Sequence, residues 1–262
     1  MNERIYGLII GEHICGDSDK RLTVLTPKGK IDVYANHARS YRSKFLNSTG
    51  IFTYGEFLLI RRGGFYNLTE ISPAENFSAL NKDLEKQALA LFFADFAAHL
   101  TIYDQPDEII LRLMLNMLYA LANSDKPIIQ IKSAFELKAM SSEGYMPALG
   151  ECSVCGKDPQ NGAYLDIMNG NIKCPECHGD AALENTRADY EDIGTARIIK
   201  PLHPAVLSAM RYIISADPRK LLSFTLEDGL MHELDSVCES YMLNHIDHKF
   251  ETFDFYKSLS KM

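Results

Sequence analysis

The chain has 262 residues, of which 46% are hydrophobic and 24% are charged, a composition typical of a globular protein and not of a disordered one. Its 27 lysines and arginines are outnumbered by 35 aspartates and glutamates, so the formal net charge is −8. This balance excludes a uniformly basic surface that coats nucleic acid without specificity, and any site for a polyanion must be local.

Neither a secretory leader nor a membrane span is expected. The N-terminal apolar run, residues 8–10, is too short for the hydrophobic region of a signal peptide. The longer apolar stretches contain polar residues such as Asp95, Arg112 and Asn116, which argues against a bilayer span. We therefore expect a cytoplasmic protein, in which six cysteines indicate metal or redox chemistry before disulfide bonds.

Residues 1–78 are predicted to form a small β-barrel, because five short runs rich in Ile, Val, Tyr and Thr are separated by turn signals. The predicted strands are 5–14, 21–26, 30–35, 51–60 and 65–71. Tight turns are expected at 27–29 and 62–64, with one long connection after the third strand. This pattern suits the oligonucleotide/oligosaccharide-binding (OB) barrel, and an SH3-like barrel fits it nearly as well.

The long connection, which we call the basic loop (residues 36–45), interleaves cationic and aromatic side chains. Residues 20–62 contain nine basic and only two acidic residues, a local charge of +7. Single-stranded nucleic acid is bound by such mixtures, because cations follow the phosphates while rings stack on bases. The alternative is a solvated loop whose Tyr41 and Phe45 fold back onto the barrel. The candidate DNA-binding residues are Lys28, Lys30, Arg39, Tyr41, Arg42, Lys44, Arg61 and Arg62.

After residue 78 the hydrophobic period becomes helical. Helices are predicted from about 83 to 100, from a start at Asp104 and Pro106 onward, from 127 to 143 with a stop at Gly144, from 204 to 215, and from 226 to 247. Thr225 and Asp228 form a plausible capping pair for the last helix. The interval 145–199 lacks the helical pattern and is interpreted as an insert within an α-helical domain, 79–262. The expected fold class is α+β.

Within the insert, two C-x-x-C pairs are separated by 18 residues, a spacing typical of four-cysteine zinc sites. Cys152, Cys155, Cys174 and Cys177 are the predicted ligands of one Zn²⁺ per chain. Four thiolates leave no open coordination position, so this zinc would be structural. A dithiol redox role is the alternative. Cys15 and Cys238 are expected to be free buried thiols.

No motif for nucleophilic catalysis or phosphate binding occurs. His232 and Glu233 begin like a zinc-protease helix, but Ser236 stands where the second ligand should be. His245 and His248 near a predicted helix end are better explained by the helix dipole than by a metal. No catalytic residues are assigned.

The order of a small barrel, a helical domain and an inserted four-cysteine module resembles the bacterial recombination mediator family RecO. The local sequences that carry the resemblance are Leu25, Thr26 and Gly29 at the second hairpin, Ala38, Arg39 and Ser43 in the basic loop, Gly144, Tyr145 and Pro147 before Cys152 to Gly156, and Tyr241, His245 and 257–259 near the C-terminus.

This resemblance implies a non-enzymatic role in DNA repair at the bacterial nucleoid. Members of the family bind single-stranded DNA and the C-terminal tail of the single-strand binding protein, anneal complementary strands, and with RecR help RecA load onto gapped DNA. The alternative from a different class is a zinc-stabilised transferase or hydrolase with a site at the junction of the barrel and the helices. From the resemblance we expect an apolar groove with a cation at its rim in the helical domain, for which Arg112 is a candidate.

Overall fold

A computed structural model describes residues 2–184 and 197–259. The chain divides into two compact units, one formed by Met1–Asp125 with Phe250–Met262 and the other by Lys126–Lys249. The sequence analysis placed a domain boundary at residue 78, where the hydrophobic pattern changes from strand to helix, and this boundary stays a prediction. In the structure, the first two helices and the last one belong to the same unit as the first five strands.

The first unit contains a closed five-stranded barrel. Its strands are β1 (Asn2–Cys15), β2 (Asp19–Thr26), β3 (Gly29–Ala35), β4 (Tyr54–Arg62) and β5 (Phe65–Glu75). They follow the order β1-β2-β3-β5-β4, with β3 and β5 parallel and the other described neighbours antiparallel. This is an OB-type barrel, as one of the two sequence interpretations predicted.

Alternation along the strands builds the barrel core. On β3, Ile31, Val33 and Ala35 are buried, whereas the residues between them are half-buried and face outward. The strand predicted to begin at residue 51 begins only at Tyr54, because Phe52 adopts a positive φ of 65° in a turn. Phe52 is buried there, so its apolar character reflects packing and not strand structure.

Thr26 and Gly29 have defined structural roles in the β2–β3 hairpin. The Thr26 hydroxyl donates to the carbonyl oxygen of Gly29 at 2.8 Å and accepts from the amide of Lys28 at 3.1 Å, which closes the turn. A Cβ on Gly29 would lie 2.1 Å from the carbonyl oxygen of Gln105, and Gly29 has φ +100°. Only glycine fits both requirements. The β4–β5 turn uses Gly63 and Gly64, both with positive φ, as a two-residue hairpin requires.

The described helices are α1 (Leu84–Leu100), α2 (Glu108–Asn123), α3 (Ile128–Ser142), α4 (Pro175–Glu184), α5 (Pro204–Ser215), α6 (Asp228–His245) and α7 (Glu251–Leu259). Asp83 caps α1 by accepting from the amides of Glu85 and Lys86, and α3 stops before Gly144, whose φ is +92°. No described helix is both long enough and apolar enough to cross a bilayer.

Two helix starts differ from the prediction. Helix α2 begins four residues after Asp104 because Asp107 supplies the cap, accepting from the amide of Ile110 at 3.0 Å. Helix α6 begins at Asp228, and its N-cap Glu227 makes no side-chain capping bond, so the predicted pair of Thr225 and Asp228 was wrong. Both errors concern the first residues of a helix, whose exact start local sequence does not fix.

The second unit contains α3, α5 and α6 together with the cysteine segment. Of the predicted insert 145–199, residues 185–196 lie outside the described residues. The described part is more regular than its composition indicated, because it forms a four-stranded sheet. The strands are β6 (Ala148–Cys152), β7 (Ala163–Asp166), β8 (Asn171–Lys173) and β9 (Ile199–Leu202), in the order β6-β8-β7-β9.

Candidate functional site

The basic loop is anchored to the barrel at both of its ends. Ala38 is 0% exposed and Phe45 8% exposed, and both belong to the barrel's hydrophobic core. The Ser43 hydroxyl accepts from the amide of Phe45 at 3.1 Å, and the amide of Arg39 donates to the carbonyl oxygen of Ser18 at 2.9 Å. The loop therefore presents its remaining side chains from fixed points.

The cationic and aromatic side chains between these anchors are exposed. Tyr41 is 78% exposed, and the Arg42 guanidinium lies 5.1 Å from the centre of its ring. The structure thus separates the two aromatics that the sequence could not tell apart: Phe45 folds back onto the barrel, and Tyr41 does not.

Five of the eight candidate DNA-binding residues are exposed cations on the basic loop and the β4–β5 hairpin that have no carboxylate partner among the described residues. Three acidic residues of the barrel pair instead with other cations. Glu3 pairs with Lys28 at 2.5 Å, Glu12 with Lys20 at 2.7 Å, and Glu56 with Arg4 at 2.9 Å. The positive charge left uncompensated is therefore concentrated on the basic loop and the β4–β5 hairpin. The five residues are Arg39, Arg42, Lys44, Arg61 and Arg62.

Lys28 and Lys30 lie at the other end of β3 from the basic loop, about 20 Å away along a seven-residue strand. The Lys28 ammonium is held by Glu3, which raises the pKa of Lys28. The Lys30 ammonium donates to the carbonyl oxygen of Ala98 and lies 4.5 Å from the centre of the Tyr103 ring. Burial lowers the pKa of Lys30. The structure does not bring these two lysines together with the loop.

Aromatic side chains on the outer face of the barrel were missed by the sequence analysis. Tyr34 on β3 packs edge-on against Phe65 at the start of β5, with ring centres 5.5 Å apart, and Phe65 is 58% exposed. Arg61 lies over the neighbouring Tyr66 ring at 5.4 Å. The sequence could have identified Tyr34, because residues of a strand point alternately inward and outward, and this alternation along β3 puts Tyr34 on the outer face. Cross-strand pairing places Arg21, also exposed, opposite Tyr34.

Arg112, the candidate cation for a peptide groove, lies on the exposed side of α2. Its guanidinium pairs with Glu108 one turn earlier at 2.6 Å, and its side chain is 66% exposed. Among its neighbours, Leu111 is buried and Ile109 is 52% exposed. A peptide carboxylate would therefore have to compete with Glu108 for this arginine.

The four cysteines of the two C-x-x-C pairs converge in the structure. Their sulfur atoms all lie within 4.8 Å of one another, and such a group can hold a metal ion. The sulfurs of Cys155 and Cys174 are 3.9 Å apart. Four thiolates about 2.3 Å from a tetrahedral ion have sulfurs separated by about 3.8 Å, so the donor set fits zinc in both type and spacing.

Backbone amides and a neighbouring helix position these cysteines. The amide of Cys174 donates to the sulfur of Cys152 at 3.3 Å, and the amide of Cys177 donates to the sulfur of Cys174 at 3.5 Å. Arg211 on α5 donates to the carbonyl oxygens of Leu149 and Gly150. It also pairs with Asp158 at 2.6 Å, in the loop that follows the first cysteine pair.

The remaining cysteines, Cys15 and Cys238, and the histidine next to Cys177 lie outside the sulfur cluster. The ring of His178, next to Cys177, is stacked on Tyr164 with centres 3.8 Å apart, and it is not part of the sulfur cluster. Cys238 is buried and free, and burial raises the pKa of its thiol. Cys15 is also free, but it is half-buried at the end of β1 and not fully buried as expected.

Comparison with known proteins gives a consistent result. The family model described as "Recombination protein O N terminal" matches residues 1–77, and the one described as "Recombination protein O C terminal" matches residues 81–252. Relatives named "DNA repair protein RecO" include one from Acetivibrio thermocellus, 28% identical over 98% of this chain and 96% of the relative. One from Thermoanaerobacter sp. is 28% identical over 97% of both chains, and one from Alkaliphilus metalliredigens is 24% identical over 92% of both.

Proposed function

The chain belongs to the RecO family of DNA repair proteins, and from this premise we propose that it is a recombination mediator that binds single-stranded DNA. The observation that carries the proposal is the anchored basic loop with its unpaired cations and exposed Tyr41. In this role it anneals complementary strands and, with RecR, promotes RecA loading onto gapped DNA at the nucleoid. The proposed activity requires no catalytic residue.

The proposed DNA surface has Arg39, Arg42 and Lys44 at its centre. Within the described part of the chain these cations have no carboxylate to displace before they contact phosphates, so binding releases counterions without breaking ion pairs. Arg61 and Arg62 flank the surface. Lys28 and Lys30 contribute less, because the first is paired with Glu3 and the second with a helix carbonyl.

Aromatic rings give this surface its preference for single strands. Tyr41 in the loop, with Tyr34 and Phe65 on the outer face of the barrel, offers planes on which unpaired bases can stack. Bases in a duplex are already stacked on each other and are not accessible to these rings. We therefore expect tighter binding to single strands than to duplex DNA at equal salt.

Two protein partners complete the proposal: RecR and the acidic C-terminal tail of the single-strand binding protein. The alternative function, a zinc-stabilised transferase or hydrolase, gains no support from the relatives, which are named as DNA repair proteins. The geometry favours a binding surface over a reaction site.

Fluorescence anisotropy with a labelled oligonucleotide tests the proposal. Single-stranded oligonucleotide should bind more tightly than the matched duplex, and adding RecR should change the affinity or the limiting anisotropy. A folded protein that binds neither form, with or without RecR, would overturn it.

For the cysteine centre we propose one structural Zn²⁺ per chain, held by Cys152, Cys155, Cys174 and Cys177. When bound, the ion would cross-link β6, the loop after it and the start of α4. The sheet of this module has short strands, and β6 and β8 share only two registered residue pairs. A small module of this kind gains much of its stability from metal binding.

Metal analysis of the purified protein tests the zinc proposal. Wild-type protein and the Cys15→Ser variant should contain one zinc per chain, because Cys15 lies outside the cluster. Cys174→Ser should lose the metal while the far-ultraviolet dichroism remains largely helical. A wild-type stoichiometry near zero, with all six thiols titratable in the native state, would sink the proposal.

A further inference from the structure

We infer that the four-cysteine centre is a site of thiol oxidation: a hydroperoxide oxidises Cys155 first, Cys155 and Cys174 then form a disulfide bond, and the metal is released. The inference rests on the proposed zinc site. It adds a chemical property of the individual sulfurs that metal binding alone does not imply.

The four cysteine residues differ in their exposure to solvent. Cys152 is 2% and Cys174 6% exposed, whereas Cys177 is half-buried and Cys155 is exposed. Val154, the neighbour of Cys155, is an apolar residue that is 61% exposed, so this turn lies at the solvent-facing surface. Cys155 is thus the most exposed of the four residues, and we expect a small oxidant diffusing from solvent to reach it first.

The hydrogen bonds to sulfur follow the same division. The amides of Cys174 and Cys177 donate to the sulfurs of the two buried cysteines, Cys152 and Cys174. An amide donor withdraws electron density from a thiolate and makes it a weaker nucleophile. The buried thiolates are thus both shielded and deactivated relative to Cys155.

The position of Cys174 makes it the partner that completes the oxidation. Its sulfur lies 3.9 Å from that of Cys155, and both must move together by about 2 Å to reach a disulfide bond length. The Cys155 thiolate attacks one peroxide oxygen, the O–O bond breaks, and hydroxide or alkoxide leaves as a sulfenic acid forms. The Cys174 thiolate then attacks that sulfur and displaces hydroxide. Each sulfur supplies one of the two electrons that the peroxide gains, and solvent protons neutralise the two leaving groups.

Oxidation leaves only Cys152 and Cys177 as thiolate ligands, too few to retain a tetrahedral zinc. The surrounding structure retains metal-independent anchors. Arg211 holds β6 through the carbonyl oxygens of Leu149 and Gly150, and the His178 ring remains stacked on Tyr164 of β7. We therefore expect opening confined to the cysteine turns and reversed by reductant and zinc.

The test uses the full chain, purified under reducing conditions and assayed for zinc before use. Hydrogen peroxide is added and zinc release is followed with a chromogenic chelator. Disulfides are mapped by mass spectrometry. We expect release of one zinc per chain, a Cys155–Cys174 disulfide, and recovery of metal binding with dithiothreitol and zinc.

Two histidine substitutions form the matched pair, since imidazole is also a zinc ligand. Cys155→His should retain zinc and lose it to peroxide more slowly by about tenfold, because the exposed thiolate is gone. Cys177→His, which replaces another ligand of the same proposed site but keeps the Cys155 thiolate, should lose zinc to peroxide faster than Cys155→His. Equal sensitivity of both variants, or a wild-type disulfide without Cys155, would overturn the inference. If Cys155→His fails to bind zinc, the wild-type disulfide map decides alone. Wild-type protein purified without zinc would instead refute the zinc proposal.

Discussion

Arg39 and Arg42 are cations on a loop whose anchors are buried, so their charge is held at the barrel surface. If both contact phosphates, the double variant Arg39→Glu/Arg42→Glu should weaken binding to single strands. It should also flatten the log–log dependence of affinity on salt by one or two units, since each phosphate contact contributes a slope of roughly −0.7. Fluorescence anisotropy at several salt concentrations measures both quantities.

The matched control for this change is Arg219→Glu/Lys220→Glu, which alters net charge equally on exposed residues of the second unit. It should leave the salt slope of DNA binding unchanged. Should the loop variant keep both its affinity and its slope in a folded protein, the DNA surface lies elsewhere and the basic loop is a solvated surface.

Tyr41 and Phe45 are four residues apart in one loop and are expected to respond differently to truncation. Tyr41→Ala should cost about 1 to 3 kcal/mol of DNA binding with an unchanged salt slope, because stacking releases no counterions. Phe45→Ala should instead lower the free energy of unfolding by about 3 to 5 kcal/mol, because it removes a buried ring from the barrel core. Anisotropy and denaturant unfolding separate the two effects. A Tyr41→Ala protein with wild-type affinity would show that this ring does not stack on bases.

At the scale of the elements, α3 and α6 are joined by a buried charged cluster. The Lys132 ammonium lies 2.8 Å from Asp235, 3.0 Å from Glu239 and 3.0 Å from Glu136 Oε1. Glu136 is fully buried, and its Oε1 is not aligned for a hydrogen bond. The Lys132 ammonium thus contacts three carboxylates, and the Cys238 thiol, whose pKa burial raises, is close enough for the Glu136 charge to raise that pKa further.

The burial of Glu136, together with the nearby carboxylates of Asp235 and Glu239, gives a prediction about pH. Burial raises the pKa of Glu136 to about 7, although Lys132 opposes the shift. Between the unfolded value of 4.5 and pH 7 the folded state binds more protons than the unfolded state. Stability is therefore highest below the unfolded pKa and falls as pH rises through this window.

Glu136→Gln should remove this part of the pH dependence, which we expect to amount to about 2 to 3 kcal/mol. Urea unfolding gives the free energy of unfolding of each protein at pH 5 and at pH 8. The contribution of Glu136 is the change between the two pH values in the wild type minus the change in the variant. Glu227→Gln, an exposed change at the start of α6, should retain the full wild-type dependence. A Glu136→Gln protein with the wild-type difference between the two pH values would contradict the assignment.

At the scale of the whole molecule, charge is unevenly divided. Residues 1–80 contain ten basic and eight acidic residues, a net charge of +2, and residues 81–262 carry the remaining −10. An acidic peptide is therefore repelled by most of the chain and must bind through an apolar contact with a local cation. By the same argument, we expect DNA to bind at the basic surface of the barrel.

The tail of the single-strand binding protein should consequently bind outside the DNA surface. Calorimetry with a synthetic tail peptide should show binding both to the free protein and to its complex with an oligonucleotide. The same peptide with an amidated C-terminus should bind more weakly, because it lacks the terminal carboxylate that a cation recognises. Absence of heat from both peptides would count against a tail site in this chain.

Local sequence determined several parts of this protein. Short runs rich in Ile, Val, Tyr and Thr, separated by turn signals, predicted the five barrel strands, because strand propensity and turn chemistry are local properties. Likewise, the C-x-x-C spacing predicted the sulfur cluster, since a two-residue gap already directs two thiolates to one point. The errors at the starts of β4, α2 and α6 arose where several nearby residues could fill the same local role.

Tertiary structure decided what depends on contacts between distant residues. Only packing showed that Phe45 is buried and Tyr41 is exposed, and that the Lys30 ammonium meets the carbonyl oxygen of Ala98. It also brings Tyr145 to His245, with ring centres 6.3 Å apart, although 100 positions separate them. Burial and charge pairing are sums over such long-range neighbours, so local sequence identifies candidate side chains, and the fold decides which of them remain available to bind.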